Sequence, residues 1–524
     1  MPECRARECS TMVMSSILTP ILRTRHGPAC ARPAVPARDA SRSSYRDRSL
    51  TDTWKRGEHV GLMDPIDAVL MTAELLANPM HVAVVLILAP PEDAGPRFVD
   101  DAYRDALDRG GEVDPVLRRR AYRGVDTGGW WAWRDVDDID LSYHVRRVSL
   151  PPGAGRDELW KLVGALHAEP LDHSRPMWEA HLVDGLPDGR YALYIKVHHA
   201  VLDGIAGLRM IEESMSPDPD RRSMSPFFAT GRRDRPGSAH GGLPTPLALA
   251  RSAVGTVASG MGLVRRTVEG QVRSTVQGLT TDTTVLPFAA PRTRLNGPLG
   301  AGRSFAAAGW PKARLRAIQH AAGVTGNDVV TAVVAGALRS WFAEHDELPG
   351  DSLVAICPVS VRGRQDGGTA GNAFGTAVCT LGTDLADPAD RLGLIHRSMQ
   401  VAKERVASLG PVPSLLVAAP SILPTILVPM LPFDPRVRPG YNLPISNVPG
   451  PRTELYWNGA HLEEIYPVSI VYDGMALNVT VCSYADRVGF GYVAGGEVIP
   501  DIETLIPLTE RSLSELEAAV GVAP

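Results

Sequence analysis

Apolar positions recur along this chain in two rhythms, and their alternation predicts a mixed α/β protein. From Gly61, the stretch GLMDPIDAVLMTAELLANPMHVAVVLILAP reads as a turn, a short helix and a strand. Pro79 separates the helical piece from Met80–Leu88, whose unbroken Val/Ile/Leu run suits a strand covered on both faces. Phe98–Arg109 carries apolar residues at helical spacing. Ile139–Val148 and Trp178–Val183 predict strands with a helix at Glu158–His167 between them. Tyr191–Val197 predicts a further strand and Gly204–Met215 the helix after it.

The polar run Ser216–Gly242 predicts an exposed, mobile loop. Beyond it, Leu247, Ala250, Val254, Val257, Met261, Val264, Val268, Val272 and Val276 step by three and four. That spacing predicts a long amphipathic helix with Arg251, Arg265 and Arg273 off the stripe. Its stripe is expected to pack on the protein, with a membrane surface as the alternative. A second half begins near Pro291, with a helix at Asn327–Glu344 and strands at Leu353–Pro358, Ala377–Leu381 and Leu443–Asn447. Further strands are expected at Val468–Tyr472, Ala476–Tyr484 and Arg487–Val493, and a last helix at Leu513–Val520. Pro411–Phe433 carries no charge and is long enough to span a bilayer. It holds Pro411, Pro413, Pro420, Pro424, Pro429 and Pro432, each costing a helix interior about 3 kcal/mol. We therefore expect a broken apolar segment lining a lipid route or dipping into a membrane surface.

Composition narrows the function classes. At 524 residues the chain exceeds one small domain. A net charge of −5 gives no footprint for nucleic acid. Cys4, Cys9 and Cys30 lie near the N-terminus and Cys357, Cys379 and Cys482 in isolated apolar runs. No metal or disulfide spacing is legible, so a reducing, cytoplasmic setting is expected. Residues 1–59 carry eleven Lys/Arg against six Asp/Glu and are rich in Ser and Pro. They read as a disordered tail or a translation start assigned too early. The expected organisation is this extension, an N-terminal half at 60–215, a loop and crossover helix at 216–290 and a C-terminal half at 291–524. Neither a P-loop nor a GxGxxG motif occurs.

The segment VHHAVLDGIAG (197–207) places His198, His199, Asp203 and Gly204 at a strand-to-helix connection. Three readings are open. Metal binding is disfavoured because adjacent residues on extended chain point to opposite sides. Both histidines could be core residues satisfied by hydrogen bonds. Alternatively, one imidazole takes a proton from a hydroxyl or thiol, Asp203 holds the loop or the imidazole, and Gly204 allows a tight turn. With no GxSxG elbow or matched cysteine nucleophile, the last reading favours direct transfer to an acceptor.

His198-His199-Ala-Val-Leu-Asp203-Gly204 matches the HHxxxDG signature of CoA-dependent acyltransferases. More narrowly, the chain from about Gly61 to the C-terminus resembles bacterial wax ester synthase/acyl-CoA:diacylglycerol acyltransferases. MDPIDAVLMTAE and PMHV, with His81, resemble that family's opening. RPMWEAHLVDGL (175–186) resembles its P-L-W-E segment, here Pro176, Met177, Trp178 and Glu179. PRTRLNGPLG (291–300), GNDVV (326–330), PVSVR (358–362), Gly371-Asn372 and SNVPGP (446–451) also match, in order.

The resemblance implies an α/β fold of two halves, each like chloramphenicol acetyltransferase, with a substrate tunnel between them. It implies transfer of a long-chain acyl group from acyl-CoA to diacylglycerol or a fatty alcohol. His199 would be the general base, His198 would support the loop, and Asp203 would hold the loop by an ion pair to Arg118 or Arg362. Asn327, Asp328, Asn372, Ser446, Asn447, Pro449, Gly450 and Pro451 are the other motif positions, with fold support weighed above substrate contact. Acyl-CoA is the co-substrate, and no metal or prosthetic group is implied. The expected setting is the cytoplasm, with peripheral attachment to the plasma membrane's inner face or to lipid droplets left open. Met177 in place of the usual Leu nearly conserves volume. A catalytically silent lipid-binding paralogue, or an HHxxxDG enzyme with another acceptor, are the alternative functions.

Overall fold

The Val/Ile/Tyr-rich runs become strands, and the amphipathic stretches become helices that cover them. The computed structural model describes residues 60–76, 78–109, 112–230, 283–360, 374–409 and 438–522. The N-terminal half runs β1 (Val60–Leu62), α1 (Pro65–Leu76), β2 (His81–Ala89), α2 (Phe98–Asp108), β3 (Arg119–Arg123) and β4 (Trp131–Asp135). It continues with α3 (Leu141–His144), β5 (Val145–Ser149), α4 (Arg156–Ala168), β6 (Trp178–Asp184), β7 (Tyr191–His198) and α5 (Gly204–Glu213). The C-terminal half runs β8 (Arg303–Pro311), α6 (Lys312–Ala322), α7 (Gly326–Glu344), β9 (Val354–Ser360), β10 (Phe374–Thr380) and α8 (Pro388–Leu409). After these come β11 (Leu443–Pro449), β12 (Tyr456–Trp457), β13 (Ala460–Val468), β14 (Leu477–Tyr484), β15 (Arg487–Gly495) and α9 (Leu505–Ala519).

Each half is built on a six-stranded sheet. The first has the order β12-β13-β2-β7-β6-β5 and the second β10-β9-β11-β14-β15-β8, while β1-β4-β3 form a small third sheet. The first sheet is antiparallel except for β5 beside β6. The second is parallel at β9, β11 and β14 and antiparallel elsewhere. The unbroken apolar run of β2 is explained by cover on both faces. Leu86 and Leu88 enter one core cluster while Val85 and Ile87 enter another on the opposite side. In the C-terminal half α7 is the core helix, and every residue from Asp328 to Leu338 is buried. Among the described residues no single helix is long and apolar enough to cross a membrane.

The halves are interlocked. Strand β13, late in the chain, pairs with β2 from Ala83 to Ala89 and so completes the N-terminal sheet. It also lies against β15 of the other sheet. A Cβ at Gly489 would collide with the Ile465 carbonyl, and one at Gly491 with the Pro467 carbonyl, so glycine is required for that approach.

Several expected elements differ. Ile139–Val148 is not one strand, because Leu141–His144 forms a helical turn before β5, where His144 stacks on Trp178 at 4.6 Å. Val468–Tyr472 leaves the sheet after Val468. Its carbonyls accept from side chains instead of a ladder partner, Ser469 from His167 and Ile470 from Asn478. The last helix begins at Leu505, well before Leu513. The expected exposed loop is partly core, since Met224, Phe227, Phe228 and Ala229 are buried and both phenylalanines contact Trp178. The basic leader, the amphipathic stretch Leu247–Val276 and Pro411–Phe433 lie outside the described residues.

Candidate active site

Strand β7 delivers the two histidines in fixed poses. His81 of β2 pairs with His198, the His198 N–H donates to the Met177 carbonyl (3.0 Å), and the His199 N–H donates to the Met80 carbonyl (2.9 Å). The backbone at the pair is thus held from both neighbouring chain segments. His198 is the last residue of β7, and His199 opens the turn that follows it.

The His198 ring is fully buried and spent on structure. Its Nδ1 accepts the Ala200 N–H at 3.0 Å, which puts the ring proton on Nε2. That Nε2–H donates to Glu74 Oε2 at 2.8 Å. Glu74 comes from α1, and the same oxygen takes a second hydrogen bond, from His173 Nε2 at 2.9 Å. Its other oxygen accepts the Met80 N–H at 3.3 Å. Burial pushes the Glu74 carboxyl up, but the hydrogen bonds from His173 and His198 outweigh it and hold it well below the usual carboxylate range. The Glu74 bond raises His173 above the ordinary histidine value.

His199 is different. Its ring is half-buried and takes no hydrogen bond from another side chain among the described residues. Burial lowers its pKa, so the imidazole is neutral near pH 7 with a lone pair to offer. Among the described residues the cysteines offer no rival nucleophile, since Cys357, Cys379 and Cys482 are buried and burial pushes the Cys357 and Cys482 thiols up to about 12.

Asp203 ends the histidine loop. Its Oδ1 accepts the Ala206 N–H at 2.7 Å and so caps α5. The expected ion pair to Arg118 is not formed. That guanidinium donates to the carbonyls of Val113, Val136 and Asp137, and Arg362 lies outside the described residues. The helix N-terminus supplies the positive end that an arginine was expected to supply. Gly204 is corrected too: it is ordinary first-turn helix with open space at its Cβ, and no tight turn depends on it. Asp203 also faces Asp67 of α1. Burial first, then Asp64 and Asp203, raise Asp67 to about 6.

The P-L-W-E-like segment backs the histidines. The Pro176 carbonyl accepts the Trp178 N–H at 3.0 Å, and Trp178 itself is buried, donating Nε1–H to the Leu117 carbonyl at 2.9 Å. Glu179 is buried against Lys196 across the strands at 3.5 Å. Lys196, fully buried, also donates to the carbonyls of Leu166 and Glu169.

The remaining motif positions assemble in the other half. Asn447 Nδ2 donates to Asn327 Oδ1 at 2.7 Å, tying β11 to the start of α7. Asp328 closes a capping box with Thr325 and accepts from His396 Nδ1 at 2.7 Å. Ser446 and Pro449 lie in β11 opposite Thr480 and Ser483 of β14. A Cβ at Gly450 would strike the Ser483 carbonyl, and the Pro451 carbonyl accepts the Ala485 N–H at 3.0 Å. Asn372 lies outside the described residues. PRTRLNGPLG is explained by Asn296, which bonds Asn442 at 2.8 Å and the carbonyls of Tyr441 and Gly474. Helix α5, which follows the histidine loop, lies beside β11, the strand carrying SNVP. A cavity of about 580 Å³ lined by Pro91, Phe98, Arg222 and Trp457 lies beside β12 and includes none of these side chains.

This is the fold and motif arrangement of a two-lobed HHxxxDG acyltransferase. The wax ester synthase/diacylglycerol acyltransferase catalytic domain matches residues 63–330 and the family's C-terminal domain residues 370–517. A Mycobacterium tuberculosis relative named as a diacylglycerol O-acyltransferase is 39% identical over 465 residues, 88% of this chain and 100% of the relative. A Mycobacterium bovis relative of the same naming is 37% identical over 467 residues, 88% of this chain and 91% of its own. The wax ester synthase/diacylglycerol acyltransferase of Marinobacter aquaeolei superposes with a TM-score of 0.70 at 32% identity, covering 88% of this chain and 100% of that one. The starter condensation domain of rhizomide synthetase shares the fold alone, with a TM-score of 0.53 at 13% identity over 88% of this chain and 95% of that one. The chain belongs to the wax ester synthase/diacylglycerol acyltransferase family and is an acyltransferase.

Proposed function

We propose that this enzyme moves a long-chain fatty acyl group from acyl-CoA to a lipid alcohol, diacylglycerol first and long-chain fatty alcohol second, with His199 as general base. The observation that carries the reading is the contrast within the histidine pair. His198 is buried and bonded at both ring nitrogens, whereas His199 is neutral and takes no side-chain hydrogen bond among the described residues. His199 removes the alcohol proton as the oxygen attacks the thioester carbonyl. The C–S bond then breaks, the ester is released and the departing CoA sulfur takes the proton from His199. No prosthetic group takes part, and acyl-CoA is a co-substrate. Acyl-CoA and the alcohol would meet in a tunnel between the halves. The enzyme works in the cytoplasm, at the inner face of the plasma membrane or on lipid droplets.

The test is release of free CoA thiol from palmitoyl-CoA by the purified full-length chain, with diacylglycerol and hexadecanol in parallel and His199→Ala as control. Alcohol-dependent release lost by about 10²-fold or more in the variant supports the reading and ranks the acceptors. Equal slow release by both folded proteins would overturn it and favour a silent lipid-binding role.

A further inference from the structure

Three ionisable side chains distant in sequence meet behind the catalytic loop. Glu74 Oε2 is 2.8 Å from His198 Nε2 and 2.9 Å from His173 Nε2, and the Glu74 side chain is only 8% exposed. His198 is neutral, because its Nδ1 is occupied as an acceptor. His198 therefore brings no positive charge to the buried carboxylate. The groups facing His173 are Glu74 from α1, the His198 ring from β7 (centroids 6.2 Å apart) and, in its own loop, Asp172 with its partner Arg175. His173 is bonded to Glu74 through Nε2 and is 32% exposed, so its proton exchanges with solvent and it can meet the carboxylate as a cation.

We propose that His173 is a positioning residue whose proton sets the catalytic clamp: its imidazolium is the counter-ion of buried Glu74, and through Glu74 it fixes His198 and the adjoining His199. With His173 charged, the carboxylate is neutralised and keeps accepting from His198. That bond holds the His198 tautomer which receives the Ala200 N–H, at the turn just after His199. With His173 neutral, Glu74 is a buried anion with no cationic partner among these groups, and a carboxylate in that position draws a proton or water. Either change loosens its hold on His198.

The two working histidines are displaced in opposite directions. Burial lowers His199, while the Glu74 bond raises His173. Activity is therefore highest between them, rising on the acid side as His199 loses its proton and falling on the alkaline side as His173 loses its own.

This rests on His199 being the base, so the test has a readout independent of turnover. The full-length protein and its His173→Arg and His173→Gln variants are assayed for kcat and KM from about pH 5 to about pH 9.5, a range spanning the ordinary histidine value. Ring-nitrogen NMR of the histidines is recorded over the same range. Arginine keeps the cation at every pH in this range, so His173→Arg should lose the alkaline fall and keep the acid limb. His173→Gln should lower kcat about tenfold with KM little changed, less than the 10²–10⁴-fold typical of the proton transfer itself. By NMR, His173 should titrate above the ordinary value of about 6.5, and Glu74→Gln should lower that titration. An alkaline limb unchanged in a folded His173→Arg enzyme, or a His173 titrating at or below the ordinary value, would overturn the proposal. Absence of turnover in the unmodified protein would sink the base assignment alone, leaving the NMR arm to decide the clamp.

Discussion

Glu74 and His198 stand 124 residues apart in the chain and 2.8 Å apart in the fold. One lies on the first helix after β1 and the other at the end of a central strand. Replacing Glu74 with Ala leaves the His198 Nε2–H buried without an acceptor. The expected cost is about 1–3 kcal/mol, read by urea unfolding, together with a fall in thiol release from acyl-CoA. Wild-type stability and turnover in Glu74→Ala would show that the contact does not matter.

Asp203 offers a second discrimination. As a helix cap it needs an acceptor oxygen and not a charge. Asp203→Asn should stay within a few tenths of a kcal/mol of wild type, whereas Asp203→Ala should lose about 1 kcal/mol. Thermal or urea melts decide it, and equal losses in both variants would point back to an ion pair.

Asp67 is poised the opposite way from Glu74. Its folded pKa is raised to about 6 by burial, Asp64 and Asp203, while the unfolded chain ionises near its ordinary 3.8. The unfolded state thus sheds its proton first as pH rises. Stability is lost between about pH 4 and pH 6, and the penalty is complete above that window. Asp67→Asn should therefore raise stability at pH 7 by on the order of 1 kcal/mol, allowing for solvent screening, and have no such effect below pH 4. A gain of equal size at both pH values would refute the electrostatic account.

Gly450 tests the SNVPGP turn. Any side chain there meets the Ser483 carbonyl, which is backbone and cannot swing away. Gly450→Ala should cost about 1–3 kcal/mol and shift the melting transition down. An unshifted melt would mean the strand end relaxes freely.

Much of the first half was legible because its strands are long and its turns marked. The covered run at Met80–Leu88, the strand before His198 and the helix after Asp203 all appear near their expected bounds. The β3–β4 hairpin was not, because Arg119–Arg123 is mostly charged and its apolar cover comes from α1. Strand β13 was missed because Glu463 and Glu464 break the apolar pattern at a bulge, where they pair with Arg190 and Arg156. The buried MSPFF stretch reads as loop because polar neighbours dominate its composition, although Trp178 supplies its packing partner.

The histidine motif announced the reacting loop but not what holds it. Glu74 directly precedes Leu75 and Leu76 at the end of α1, and nothing in that local sequence gives a sign of a partner. His173 lies among Asp, Ser and Arg residues that read as ordinary turn chemistry. Asp203 was expected to need a cation because a carboxylate beside two histidines suggests one. A helix beginning at the next residue satisfies it without any side chain at all.

Strand β13 has a further consequence. The C-terminal family match, residues 370–517, contains the strand that seals β2, which belongs to the catalytic match at 63–330. A fragment cut between the two would leave a long apolar strand edge bare, the kind of edge along which chains aggregate. A gene for the N-terminal half alone would encode an unfinished sheet, so duplication, recombination or tagging within this protein is confined to loops that leave residues 460–468 attached to their partner.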